Sequence, residues 1–208
     1  MRRIALTGMA SAMALALAAC SQSGTDAAAA PAAAAPAASS YAEDRAQIQD
    51  LQGRYMFALD WRDPEAYAAT FAPDGSMDSA AVTGKGRAAI AQEIVDMKAR
   101  EAERYAKDKS GKPPPRMRHN ITNLALEIDG DHAYGKAYWT AFTNANDKRE
   151  PVVSGYGHYE DEMVKIDGKW YFKSRKIYNE MAKGREAPDK LNWPPASATP
   201  PATPASPS

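Results

Sequence analysis

Cysteine is almost missing from this chain of 208 residues: there is one, Cys20. A lone thiol excludes any intramolecular disulfide. Histidine is nearly as scarce, with three in all, His119, His132 and His158. No grouping of His, Cys and carboxylates stands at metal-ligand spacing, so no metal and no cofactor is expected. A Gly-rich phosphate loop, a dinucleotide fingerprint and a nucleophile elbow are absent as well. So is an excess of either charge: 26 Lys and Arg face 26 Asp and Glu. No basic footprint therefore points to nucleic acid. Nor is there an apolar run of the about 20 residues that a spanning helix needs.

What the ends do carry is a signal. "MRRIALTGMASAMALALAAC" has a positive start at Arg2 and Arg3, a short apolar stretch, and small residues before Cys20. This is the layout of a secretory signal. The run "LAAC" resembles the bacterial lipobox, which implies cleavage before Cys20 and lipidation of its thiol. A lipid-anchored Cys20 could not act as a nucleophile. Ser21 in place of Asp implies, by the same resemblance, the outer membrane facing the periplasm. The expected organisation is a signal peptide over 1–19, an Ala/Pro/Ser tether over 20–40, one domain over 41–183 and a Pro-rich disordered tail over 184–208.

Within the domain, "SYAEDRAQIQDLQGRYMFALDW" opens with Ser40 and Glu43 at capping-box spacing. Ile48, Leu51, Tyr55, Ala58 and Leu59 then recur on one helical face. "RDPEAYAATFAPDG" restarts a helix, with Asp63 as N-cap, Pro64 at N1, and Tyr67 and Phe71 on one face. A third helix follows Gly86, with Ile90, Ile94 and Met97 inward. From Arg116 onward the period becomes alternating, with turns at Asp129-Gly130-Asp131, Asn144–Asp147 and Asp167-Gly168. Helices followed by a meander of long strands make an α+β domain.

The stretches "ALDWRDPEAYAATFAPDGSMD", "RHNITNLALEIDGDHAYGKAYW" and "GYGHYEDEMVKIDGKWYFKSRKI" together resemble a SnoaL-like domain of the NTF2-like (nuclear transport factor 2-like) superfamily. The resemblance spans Asp44 to Tyr178. It implies a strongly curved antiparallel sheet wrapped against three N-terminal helices, a cone with a pocket inside. Such a fold predicts a pocket, and the chemistry must be argued from its residues.

Two residues stand out. Asp60 closes the first helix, and His119 opens a strand after the Pro-rich loop. In the dehydratase-like branch of the family, residues at both places act in proton transfer. An imidazole titrates near neutrality, and a carboxylate on one ring nitrogen fixes which nitrogen works. Strict alternation, however, puts His119 opposite Leu124, Leu126 and Ile128. Either different ends of the sheet serve pocket and packing, or a bulge near Asn120–Asn123 switches parity. Tyr55, Tyr138, Trp139 and Tyr159 supply aromatic faces for a flat ligand. The family pattern pairs Asp161 with Arg175 inside the cone, with Tyr159 on the same face, which would turn His158 outward. His132 falls in a turn.

The dehydratase pattern is incomplete. Leu59, Ser79 and the Tyr138-Trp139 pair stand where that branch has a tyrosine, a second tyrosine and a second histidine. Dehydration of a scytalone-like substrate is therefore not supported. Three functions remain open: a cofactor-independent lyase or isomerase acting on a small apolar or cyclic molecule, a non-catalytic module binding such a ligand or docking a partner, and an envelope scaffold forming a homodimer. A separation of His119 from Asp60 beyond about 5 Å would favour the non-catalytic module.

Overall fold

The computed structural model describes residues 39–79 and 83–190. The expected signal peptide, Cys20, nearly all of the tether, and the tail beyond Lys190 lie outside the described residues.

Ser40 caps α1 (Tyr41–Trp61) through a complete capping box with Glu43. Ile48, Leu51, Tyr55 and Leu59 bury one face of this helix. Its C-cap, Arg62, takes a left-handed conformation at φ 57°, and its guanidinium pairs with Glu101 at 2.5 Å. Helix α2 (Pro64–Ala69) starts on the Asp63 side chain, as its Asp-Pro signal implies. It is shorter than the sequence suggests, because Phe71 belongs to β1 (Phe71–Asp78) and not to the helix. A three-residue β2 (Thr83–Lys85) pairs with β1 and precedes α3 (Arg87–Ala106). Two short strands thus sit between the second and third helices.

Four long strands follow: β3 (Met117–Asp129), β4 (His132–Thr143), β5 (Val152–Ile166) and β6 (Lys169–Ile177). The single curved sheet has the order β2-β1-β6-β5-β4-β3. All pairings are antiparallel except β1 with β6, which is parallel. The α+β class read from the sequence is the observed one.

Breaks in register bend the sheet, since a bulge raises local twist. The break between Thr122 and Ala125 carries Asn123 at φ 55°. Asparagine tolerates this region better than most residues. The extra residue resolves the parity conflict. His119, Ile121, Leu124, Leu126 and Ile128 are all half-buried, whereas Asn120, Thr122, Ala125 and Glu127 are exposed. Both halves of β3 therefore turn their covered side chains to the same face.

The core is aromatic at its centre. Tyr55, Tyr67, Phe71 and Phe172 pack with ring centroids between 4.7 and 6.1 Å apart, tilted or edge-on as ring quadrupoles favour. At the other end of α1 the buried Asp44 accepts hydrogen bonds from Trp170 Nε1 and Lys165 Nζ, fastening the helix to the β5–β6 turn.

Candidate functional site

Asp60 occupies the last turn of α1 and His119 the start of β3. The fold brings them into contact. His119 Nδ1 lies 2.6 Å from Asp60 Oδ1, and the His119 backbone N–H donates to Asp60 Oδ2 at 3.0 Å. One carboxylate thus holds both the ring and the main chain of the same residue. Its sequence neighbours Phe57 and Trp61 do not shelter it, being 67% and 60% exposed. Instead Trp61 covers the Arg118 guanidinium at 4.0 Å. The Asp60 and His119 side chains are themselves almost buried, at 5% and 10% exposed.

A carboxylate at Nδ1 selects the tautomer with its proton there, leaving Nε2 with the lone pair. Among the described residues the hydrogen bonds of the ring run through Nδ1 alone. The ring centroid stands 6.2 Å from that of Trp139. Trp139 stacks on Tyr159 at 6.1 Å, and its indole N–H donates to the Tyr178 carbonyl at 3.0 Å. Tyr159 in turn meets Tyr55 edge-on at 6.2 Å. His119 therefore opens a row of aromatic faces running into the cone. On its other side it borders a cleft of about 690 Å³ between α1 and β3, lined also by Arg45, Gln52, Met56, Ile121 and Leu124.

The remaining residues singled out in the sequence divide. Tyr55 and Tyr159 are buried; burial raises both phenol pKa values, so they stay neutral. Tyr138 is 58% exposed, on the face of β4 opposite Trp139, and lines no interior surface. Alternation along the strand is the reason: adjacent residues cannot share a face. Asp161 and Arg175 form a fully buried pair at 2.7 Å. The Arg175 guanidinium lies about 4 Å from the Tyr55, Tyr159 and Phe172 rings. Burial alone would lower its pKa, but Asp161 outweighs that and raises it. His158 points away from the face of Tyr159 yet is not solvated. It stacks on Tyr178 at 4.4 Å, and burial lowers its pKa against the pull of Glu160.

Among the buried polar residues that escaped the sequence reading are Gln52 and Glu93. Gln52 donates to Asp161 at 2.9 Å and accepts from Arg175, completing that network. Glu93 on α3 is 6% exposed. Each had a signal: a polar residue inside an apolar helical stripe, at Ile48 plus four and Ile90 plus three.

The model of the SnoaL-like domain family matches residues 40–176. The chain belongs to this family. Among solved structures, a Catenulispora acidiphila protein in complex with S-DNPA is 30% identical, covering 67% of this chain and 95% of its own, with a TM-score of 0.54. Rv3472(D26N) from Mycobacterium tuberculosis, of unknown function, is 28% identical over 66% and 72% of the two chains, with a TM-score of 0.55. A scytalone dehydratase candidate from Novosphingobium aromaticivorans is 20% identical over 73% and 97%, with a TM-score of 0.55, a likeness of fold alone. No curated protein matches the chain.

Proposed function

We propose that this SnoaL-like domain binds a small cyclic or aromatic molecule beside His119 and moves a proton on it, as a lyase or isomerase working with side chains alone. The observation that carries the reading is the contact of His119 Nδ1 with Asp60 at 2.6 Å, which leaves Nε2 as the working nitrogen. In the cycle, Nε2 takes a proton from the ligand, Asp60 stabilises the imidazolium that forms, and the proton returns to a neighbouring atom. The ligand lies in the cleft between α1 and β3 that His119 lines, while Trp139 and Tyr159 pack behind the imidazole. The ligand complex of the Catenulispora relative supports a small-molecule role. The sequence of the amino terminus supports placing the domain in the cell envelope, tethered through a lipid on Cys20.

Native mass spectrometry of the full chain purified from its envelope tests both parts. A diacylglyceryl mass on Cys20 and a copurifying small molecule are the expected results. With that molecule as substrate, His119→Ala and Asp60→Asn should each lower turnover by about 10²–10⁴-fold, the usual share of general acid–base catalysis. Tyr138→Phe should leave it unchanged. Turnover unaffected by both of the first two variants would take His119 and Asp60 out of the chemistry, and a wild-type chain that binds the molecule without turning it over would leave a binding module.

A further inference from the structure

Two polar contacts bridge α1 and β3, and the cleft of about 690 Å³ lies between them. At one end Asp60 holds His119; at the other the Arg45 guanidinium donates from Nη2 to the Leu124 carbonyl at 3.2 Å. Leu124 sits inside the break in β3–β4 pairing between Thr122 and Ala125, which opens its carbonyl to a side-chain donor. That bond occupies one of five guanidinium N–H groups and fixes the direction of the fork. Arg45 lines the cleft, as do the amide side chains of Gln49 and Asn123, while Met56, Ile121 and Leu124 make its apolar wall. Among the described residues of that lining, Arg45 carries the one permanent charge, and none is a carboxylate. Nor does α1 balance this charge along its own surface. The positions three and four residues away are Tyr41, Ala42, Ile48 and Gln49, none of them acidic. Asp44, the adjacent carboxylate, is committed to Lys165 and Trp170. A cation beside an apolar wall attracts an anion more strongly than it would in open water.

We propose that Arg45 anchors the carboxylate of an acidic ligand, at the end of the cleft away from His119. The assignment rests on the reading of His119 and Asp60 given above for the reacting end, and it adds the class of the molecule and its length. His119 and Leu124 stand five residues apart on a strand with one extra residue, which places them about 13 Å apart. With a hydrogen bond at each end, about 8–10 Å remains between the carboxylate and the oxygen that meets His119. The ligand is therefore a flat, elongated monoanion with its acid group far from its reacting carbonyl. The bulge that orients β3 also exposes the carbonyl that holds Arg45 in position.

The test uses 6-acetyl-2-naphthoic acid and its methyl ester as probes, with the wild-type full chain, Arg45→Met and His119→Ala. Binding is read from the anisotropy of naphthalene fluorescence, and the reacting end from NMR of labelled histidine. Wild type should bind the acid about tenfold tighter than the ester, the value of one charge-assisted hydrogen bond. Arg45→Met keeps the aliphatic stem, so it should lose that preference and still bind the ester as wild type does. Unchanged ester binding also shows that the variant is folded. His119→Ala should keep the preference. A preference that survives in Arg45→Met overturns the proposal, as does an equal loss of acid and ester, which would make Arg45 a structural tie alone. Wild type binding both probes alike, or neither, overturns it as well. If the Arg45-dependent preference holds while the His119 signals do not move, the anchor stands and the reading of His119 falls.

Discussion

At the scale of single residues, the interior is governed by which charges are paired. Asp161, Arg175 and Gln52 hydrogen-bond one another, and of the three only Arg175 Nη1 is left without a partner among the described residues, so replacing one strands another. Asp161→Asn should lower stability by about 3–5 kcal/mol in urea unfolding. The double variant Asp161→Leu/Arg175→Met should recover much of that loss, because the unpaired charge is gone with its partner. A double variant no more stable than Asp161→Asn would contradict this account. Asp60, His119, Asp161 and Arg175 were all legible as candidates in the sequence, because strong motifs surround them. Glu93 and Gln52 were not. A single polar residue in an apolar helix stripe reads as an edge position until the opposing elements are in place. Tyr138 erred the other way: the strand was right, but its phase was open until Trp139 was seen to face inward.

At the scale of elements, the long strands were read correctly, and the shorter pieces less so. Tyr67 and Phe71 stand four apart, so they fit one helical face as well as a helix followed by a strand. The strand wins because Phe71 pairs with Phe172 of β6. Pro73 is tolerated in β1 because pairing to β6 is irregular between Phe71 and Ser76. The bulge of β3 was one of two openings in the sequence, and local composition could not choose between them. A further close contact concerns the segment after β6. Tyr178 continues alongside β5, its N–H donating to the His158 carbonyl at 2.9 Å. A Cβ on Gly157 would lie 2.2 Å from the Tyr178 carbonyl oxygen, the acceptor of the Trp139 indole. Gly157→Ala should therefore cost about 1–3 kcal/mol and alter Trp fluorescence in the folded state. An alanine variant matching wild type in both would show that this segment can shift freely.

At the scale of the whole molecule, two buried groups give stability opposite pH dependences. Glu93 titrates near 7 when folded, against an ordinary 4.5. Its contribution is fully present below 4.5 and is lost as pH rises through 7, about 3 kcal/mol in all. His158 has its pKa lowered by burial from 6.5. It contributes stability above that value, lost as pH falls through the folded one. Glu93→Gln should thus gain on wild type more at pH 8 than at pH 4.5 in thermal or urea unfolding. A gap independent of pH would assign the alkaline limb to other groups. The sheet has one further consequence. With the order β2-β1-β6-β5-β4-β3, its long open edge is β3, thirteen residues ending the sheet beside His119. Such an edge is a template for aggregation. The Asn123 kink interrupts it midway, and Arg45 occupies the Leu124 carbonyl there at 3.2 Å. The irregularity that sets the parity of β3 thus also breaks the straight run of backbone groups that an added strand would need.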